Sequence, residues 1–456
     1  MNKKAIIAIV VVAICIVAVG VGYPIVKEQM IKNDPIGYLI YASSKSQGNA
    51  VDASLKGSFS MDDQTLSEMT TYMSSDPDAM ATFVKGIVND INFDGRIKFK
   101  ADLENKVFNL YENIGFNYQD NSLLKTEFGY VNNEMFMRFP GTYEKALTMN
   151  KDELFKMIKD ESDIDLTQVN WDKYWALLDV ENDPNYKAIL ENSKPYEDLL
   201  RLFLADLKNT GKVDVTLADG KTLSCDNLQV SIKFDQVIDL YLQLFKTAKA
   251  DENVKTFAKA KATEALTLVQ SSGDYELMGL EEADIQEAID QLNDEFDTNW
   301  DSMFDEMIST YEELQSNMAQ IEDMNFNYEF NFAIDKDFKL RQYHLIGGAN
   351  GVVVDETVVY NAYGDDVKFD ETFSAENKIS IAQMIEDTDY ATEIGQDMIQ
   401  TGLDTLLSSE ALAKTIDDIK SKADVLPDDE KSQIIDSLDF VLTNKDMIIN
   451  SMLGQY

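Results

Sequence analysis

Polar and apolar residues alternate with a period of two in several stretches of the chain. Arg96 to Leu103 alternates strictly and puts Ile97, Phe99, Ala101 and Leu103 on one face. Phe108, Leu110, Ile114, Phe116 and Tyr118 share a face in the next run, interrupted by Glu112. Phe128 and Tyr130 continue the pattern, and Met135, Met137 and Phe139 close it before Pro140-Gly141. One apolar and one polar face per strand predicts an antiparallel sheet covered on one side. A first short strand, Ser54 to Met61, stands apart from these, behind a helix-like insert at about 62–90. A second block runs from 325 to 373. In it Phe326, Tyr328, Phe330, Phe332 and Ile334 alternate with Asn325, Asn327, Glu329, Asn331, Ala333 and Asp335. Lys212 to Ala218 and Thr222 to Phe234 form a hairpin around the turn signal Asp219-Gly220.

Between the strand blocks the period changes to that of a helix. Residues 150–208 read as helices broken at Pro184 and Pro195. Residues 280–323 carry a seam at steps of three and four that includes Ile285, Leu292, Phe296, Trp300, Met303 and Met307. The stretch Ala262–Asp335 holds 20 acidic residues and no Lys or Arg, whereas 235–270 carries Lys246, Lys249, Lys255, Lys259 and Lys261. The seam is therefore expected to pack on the Lys-bearing helix, or on the sheet, as an antiparallel hairpin. Residues 379–453 return to helices, split at Pro427. Strand, helical insert and meander occur twice, near 51–140 and 212–372. That predicts two related lobes, or one sheet fed from both halves.

The N-terminus adds a location. Ala5 to Gly22 is 18 residues without a charged or strongly polar side chain, and the run extends to Val26 before Lys27. Such a length spans a bilayer core as a helix. Lys3 and Lys4 precede it, which holds the tail in the cytoplasm and places the remainder outside. A cleaved signal peptide ending at Ala18-Val19-Gly20 competes with this reading. So does a lipoprotein modified at Cys15, whose preceding Val12-Ala13-Ile14 is a poor lipidation signal. The organisation expected is an anchor at 1–26 and a stalk at 27–50. A first α+β lobe follows at 51–208 and a second at 209–378, with a long helical insert at 235–323. Helices at 379–456 complete the chain.

Charge and composition then remove functions. The 456 residues include 82 Asp plus Glu against 40 Lys plus Arg, a net charge of -42. That excludes a nucleic-acid partner, because counterion release needs clustered cations. One His and two Cys exclude a Cys/His zinc site and a disulfide scaffold. An apolar fraction of 45% excludes a wholly disordered chain. Cys15 and Cys225 fall on different sides of the anchor's interface, and Cys225 reads as an unreactive strand or loop thiol.

Motif-like runs carry little chemistry. Asp90 to Gly95 opens like a calcium loop, but the twelfth position, which needs a bidentate Glu, is Ala101. Gly220-Lys221-Thr222 lacks the earlier Gly of a phosphate loop. His344, the only histidine, has no G-x-S-x-G elbow elsewhere in the chain to serve. No catalytic, cofactor-binding or metal-binding residue is assigned, and no cofactor is expected. The sharpest candidate is an apolar ligand face made of Phe108, Phe116, Tyr118, Phe128, Phe326, Tyr328, Phe330 and Phe332. Its alternative is an ordinary core covered by long helices.

The runs Gly57-Ser58-Phe59-Ser60-Met61, Phe93 to Leu103 and Gly129 to Met137 resemble the strand meanders of LolA-like and LppX-like bacterial envelope lipoproteins. They also resemble membrane-anchored surface proteins of Clostridia-type bacteria. The resemblance covers about 51–143 and 324–372. It implies a curved antiparallel half-barrel with helices on its concave side, sometimes enclosing a lipid. The fold expected is thus α+β: an N-terminal transmembrane helix, then half-barrel-like antiparallel sheets packed with long helices. The function expected is a non-catalytic, single-pass, extracytoplasmic cell-envelope protein that binds a lipid or other apolar ligand. The alternative is a structural or regulatory surface protein that binds another envelope protein through its acidic helices. A hydrolase is a third reading, with no motif behind it.

Overall fold

The structure is a computed structural model. It describes residues 33–454 apart from 47, 72–73, 163, 179, 181–182, 319–326 and 350. In chain order the first half holds α1 (Pro35–Ser46), β1 (Ala50–Met61), α2 (Asp63–Thr70) and α3 (Pro77–Val88). The meander β2 (Ile91–Asp102), β3 (Val107–Tyr118), β4 (Asn121–Val131), β5 (Glu134–Phe139) and β6 (Tyr143–Asn150) follows. Four helices come next: α4 (Lys151–Ser162), α5 (Trp171–Trp175), α6 (Pro184–Glu191) and α7 (Lys194–Phe203). The hairpin β7 (Lys208–Thr216) and β8 (Thr222–Lys233) leads into α8 (Phe234–Ala250), α9 (Glu252–Ser272) and α10 (Glu282–Met318). The chain returns as β9 (Asn327–Ile334), β10 (Leu340–Ala349), β11 (Val352–Tyr363) and the short β12 (Lys378–Ser380). It ends in α11 (Ile381–Glu386), α12 (Thr388–Leu407), α13 (Glu410–Lys422), α14 (Asp428–Thr443) and α15 (Lys445–Leu453).

All the strands lie in one 12-stranded sheet of order β12-β6-β5-β4-β3-β2-β1-β11-β10-β9-β8-β7. Every pairing is antiparallel except that of β12 with β6, so the sheet is mixed. Local chemistry sets the connections. Asn132 and Asn133, both at positive φ, make the tight β4–β5 turn, as a two-residue hairpin needs. Asp76 caps α3 ahead of Pro77, and Asp251 ends α8 and caps α9.

The fold expectation is corrected here. Half-barrel-like antiparallel sheets are replaced by a single open mixed sheet, and of the two arrangements expected it is the one sheet fed from both halves that forms. The cause is β1, which pairs with β2 on one side and β11 on the other, so strands of both halves add to the same sheet. The expected transmembrane helix at 5–26 lies outside the described residues. Among the described residues no helix is long and apolar enough to cross a membrane.

The helical insert has its own core. Trp300, Phe304, Phe296 and Leu292 of α10 are buried against Val254, Phe257, Ala258 and Ala262 of α9 and Tyr186 and Ile189 of α6. The charges descend in antiparallel order. Lys246 pairs with Glu312 at 2.8 Å, Lys249 with Asp305 at 2.6 Å and Lys255 with Asp297 at 3.0 Å. The Trp300 indole N–H donates to the Lys249 carbonyl at 3.2 Å, which locks the register.

The two sheet faces differ in chemistry. One face carries Asp52, Arg96, Lys98, Tyr111, Asn113, Glu127 and Arg138, which the ladder places side by side. A strap formed by residues 367–374 crosses it. Phe369 and Phe373 pack on Tyr111, Val131 and Phe136. Glu371 pairs with Lys98 at 2.5 Å, with only 14% and 7% of the two side chains exposed. The second carboxylate oxygen of Glu371 is buried without a hydrogen-bond partner. A charge pair buried this deeply is costly to break from one side.

Two outcomes follow from this packing. Lys255→Glu should lower the melting temperature, and adding Asp297→Lys should restore most of the loss. A double variant no better than the sum of its parts would mean that the α9–α10 charges do not couple. Glu371→Ala should destabilise by about 3–5 kcal/mol in urea unfolding, because Lys98 is left buried and unpaired. The apolar pair Lys98→Met with Glu371→Leu should cost less than that single change.

Candidate functional site

The opposite face of the sheet is apolar, and the described residues leave much of it uncovered. Along the ladder, Phe59 of β1, Ile97 of β2, Phe108, Ile114 and Phe116 of β3, Leu124 and Phe128 of β4 and Met137 of β5 share it. Each of these eight is between 36% and 52% exposed. Among the described residues it is covered towards the two ends of the sheet and, at Tyr118 of β3, by α13, which also packs against β4. Tyr38, Leu39 and Ala42 of α1 bury Leu228, Val230 and Ile232 of β8. Ile394 of α12, with Tyr390 and Met398, packs against Leu147 and Tyr143 of β6.

Phe93 and Tyr328 lie flat across glycines of the neighbouring strands. A Cβ on Gly57 would sit 2.1 Å from the Phe93 ring, and one on Gly347 would sit 2.2 Å from the Tyr328 ring. Two carboxylates stand within the apolar rows. Glu112 lies between Ile97 and Phe128, and Glu356 between Gly57 and Leu345. Neither side chain makes an ion pair or hydrogen bond with a described residue.

The sequence-predicted residues divide into four groups. Phe108, Phe116 and Phe128 stand on the open part of this face. Tyr118 does not; it is 2% exposed, and its hydroxyl donates to Asp418 of α13 at 2.7 Å. Lys422 of α13 also reaches that hydroxyl, and burial pushes the phenol up to about 12. Tyr328, Phe330 and Phe332 are half-buried on β9, with Phe330 and Phe332 against the α1 cluster. That strand lies five positions from β3, about 24 Å at normal strand spacing. Phe326 lies outside the described residues. Sequence reasoning left Phe59, Ile97, Ile114, Leu124 and Met137 out of the site. The period-two pattern already put Ile97 and Ile114 on apolar strand faces, so their signal was present.

Four of the cavities among the described residues lie elsewhere, and none of these is lined by Phe108, Phe116, Phe128, Phe330 or Phe332. One of about 900 Å³ opens between α2 and the β8–β11 strand ends, beside Tyr328, Ile346 and Val352. Another of about 700 Å³ lies under the β7–β8 hairpin and is mostly charged.

The motif-like residues take structural roles. Asp90 accepts from the Gln119 amide and pairs with Lys422 at the start of β2, and Asp94 accepts from Asn117. Gly220, at φ 84°, forms the β7–β8 turn. His344 Nε2 meets Asp355 Oδ1 at 2.9 Å across the β10–β11 ladder. Among the described residues no group of His, Cys, Asp or Glu is placed to hold a metal ion.

No protein-family model matches the chain, and no curated protein matches it. The likeness to LolA-like and LppX-like lipoproteins therefore rests on the strand runs alone.

Cys225 provides a probe of the sheet's integrity. It is fully buried among Val215, Leu223 and Ala333, and burial pushes its thiol up to about 11. At pH 8 it should stay unmodified by a maleimide in the native protein and react fully in urea, scored on its own tryptic peptide. Rapid native labelling would show that the β7–β9 end opens.

Proposed function

We propose that this is a non-catalytic interaction protein of the cell envelope. Its open sheet face takes the apolar side of a basic, amphipathic segment of a partner protein. The observation that carries the reading is the row of eight large apolar side chains left 36–52% exposed between two well-packed ends of one sheet. An exposed apolar patch beyond a few hundred Å² marks an interaction surface. Strands β1 to β5 make it four spacings wide, about 19 Å.

Charge selects the occupant. Glu112 and Glu356 are unpaired within the face, and the chain carries a net charge of -42. Both favour a cationic partner, and both disfavour a second copy of this chain or an anionic lipid surface. A lipid carrier would enclose its acyl chains in an apolar cavity. This face is instead broad and open, which fits a protein segment better. Residence outside the cytoplasm rests on the apolar run Ala5–Val26 behind Lys3 and Lys4.

The test uses the full-length chain and a fluorescent 18-residue Leu/Lys peptide whose leucines repeat on one helix face. A scrambled peptide of equal composition is the control. Saturable, salt-sensitive binding of the first peptide alone is expected. Ile97→Asp and Phe116→Asp should each weaken it at least tenfold while leaving the melting curve in place. Equal binding of the scrambled peptide, or indifference to both substitutions, would sink the proposal. So would stoichiometric lipid in an organic extract of the purified protein, because the face would then already hold a lipid.

A further inference from the structure

The β7–β8 hairpin folds over the polar face of the sheet. The Ala218 N–H donates to the Asn361 side-chain oxygen of β11 at 2.9 Å, reaching past β9 and β10. The space beneath is a cavity of about 700 Å³, within the range of small-molecule sites.

Two of the chain's four arginines stand in its wall. Both are held by buried carboxylates. Arg96 Nε and Nη2 donate to the two oxygens of Asp52 at 2.7 and 2.6 Å. Asn361 donates to the same carboxylate at 3.3 Å. Arg341 Nε donates to Asp335 at 2.7 Å, whose other oxygen accepts the N–H groups of Asp337 and Lys339. Asp52 is 5% exposed and Asp335 4%. The guanidinium groups are therefore fixed in place before any ligand arrives, which lowers the ordering cost of binding.

Other charges facing the cavity are left over. Lys221, Lys336 and Lys339 line it, as do Asp219, Asp337 and Asp366, and none of the six is ion-paired with a described residue. These three lysines and three aspartates thus face one space without bridging each other. A molecule carrying both charges would satisfy both sets at once, whereas a simple anion or cation would leave one set repelled.

We propose that this cavity binds a small zwitterion, a short peptide with free amino and carboxyl ends. The lysines and Arg96 receive its carboxylate, and the aspartates receive its ammonium group. The cavity accommodates two to four residues, about 7–14 Å of extended chain. The site is separate from the apolar sheet face and does not depend on that reading.

The experiment is equilibrium dialysis of the full-length chain against a pool of di-, tri- and tetrapeptides, read by mass spectrometry. Matched N-acetylated and C-amidated pools run beside it. Saturable retention from the free pool is expected, with at least a tenfold loss when either end is blocked. Lys221→Gln and Asp366→Asn, both at exposed positions, should each reduce retention at least tenfold with unchanged melting curves. No retention from the free pool would overturn the proposal. Equal retention of the blocked pools would do the same, as would full displacement by inorganic phosphate together with retention of the acetylated pool, which marks an anion site.

Discussion

β1 is paired along both edges, through Ala50–Ser58 to β2 and through Val51–Met61 to β11. Some three hundred residues separate the two halves of the second ladder, and its register carries only one irregularity, at Asp52/Ala53. Everything else in the sheet hangs on that contact. β2 to β6 extend outward on one side and β11 to β7 on the other. Without the β1–β11 ladder the chain would hold two smaller sheets, each with an extra raw edge open to aggregation. The loop-closure cost of so distant a pairing is met by a full-length ladder and by the Lys98–Glu371 pair, which ties the strap after β11 to the strand beside β1.

Register then decides the chemistry of both faces. Because side chains alternate, fixing β1 against β2 and β11 fixes which residues share a side across the whole sheet. On one side the rows bring Arg96, Asp52 and Asn361 together, and the curling β7–β8 hairpin closes a charged cavity over them. On the other side the same rows align Ile97, Ile114, Phe116 and Phe59. The longest helix, α10, is engaged elsewhere. α10 spends its apolar seam on α8 and α9, whose lysines match its acidic flanks, and so is not available to the sheet. The open face and the acidic helical pack are thus two consequences of one division of apolar surface.

The legible part of the candidate site was its pattern. The alternation at Phe108, Phe116 and Phe128 predicted a shared apolar face, and those residues do share one. Tyr118 keeps the same alternation yet lies under α13, because Asp418 and Lys422 reach its hydroxyl from a helix 300 residues further on. Phe330 and Phe332 are covered by α1 for a similar reason. The three residues of β12 are too few to show an alternation, and β12 forms by its pairing with β6.

By itself the sequence determined the type of each long element. Period two made the strands, period 3.6 made the helices, and Asp219-Gly220 marked the β7–β8 turn. It also offered the acidic, Lys-free seam two places to pack, the Lys-bearing helices or the sheet, and the structure takes the first. These are local or self-matching signals. The tertiary structure alone decided that there is one sheet rather than two, that its apolar face stays open, and that a hairpin lids a charged cavity on the other side. Those features depend on which strand lies beside which. Backbone hydrogen bonds are the same for every partner, so the choice is made only when all the side chains pack at once.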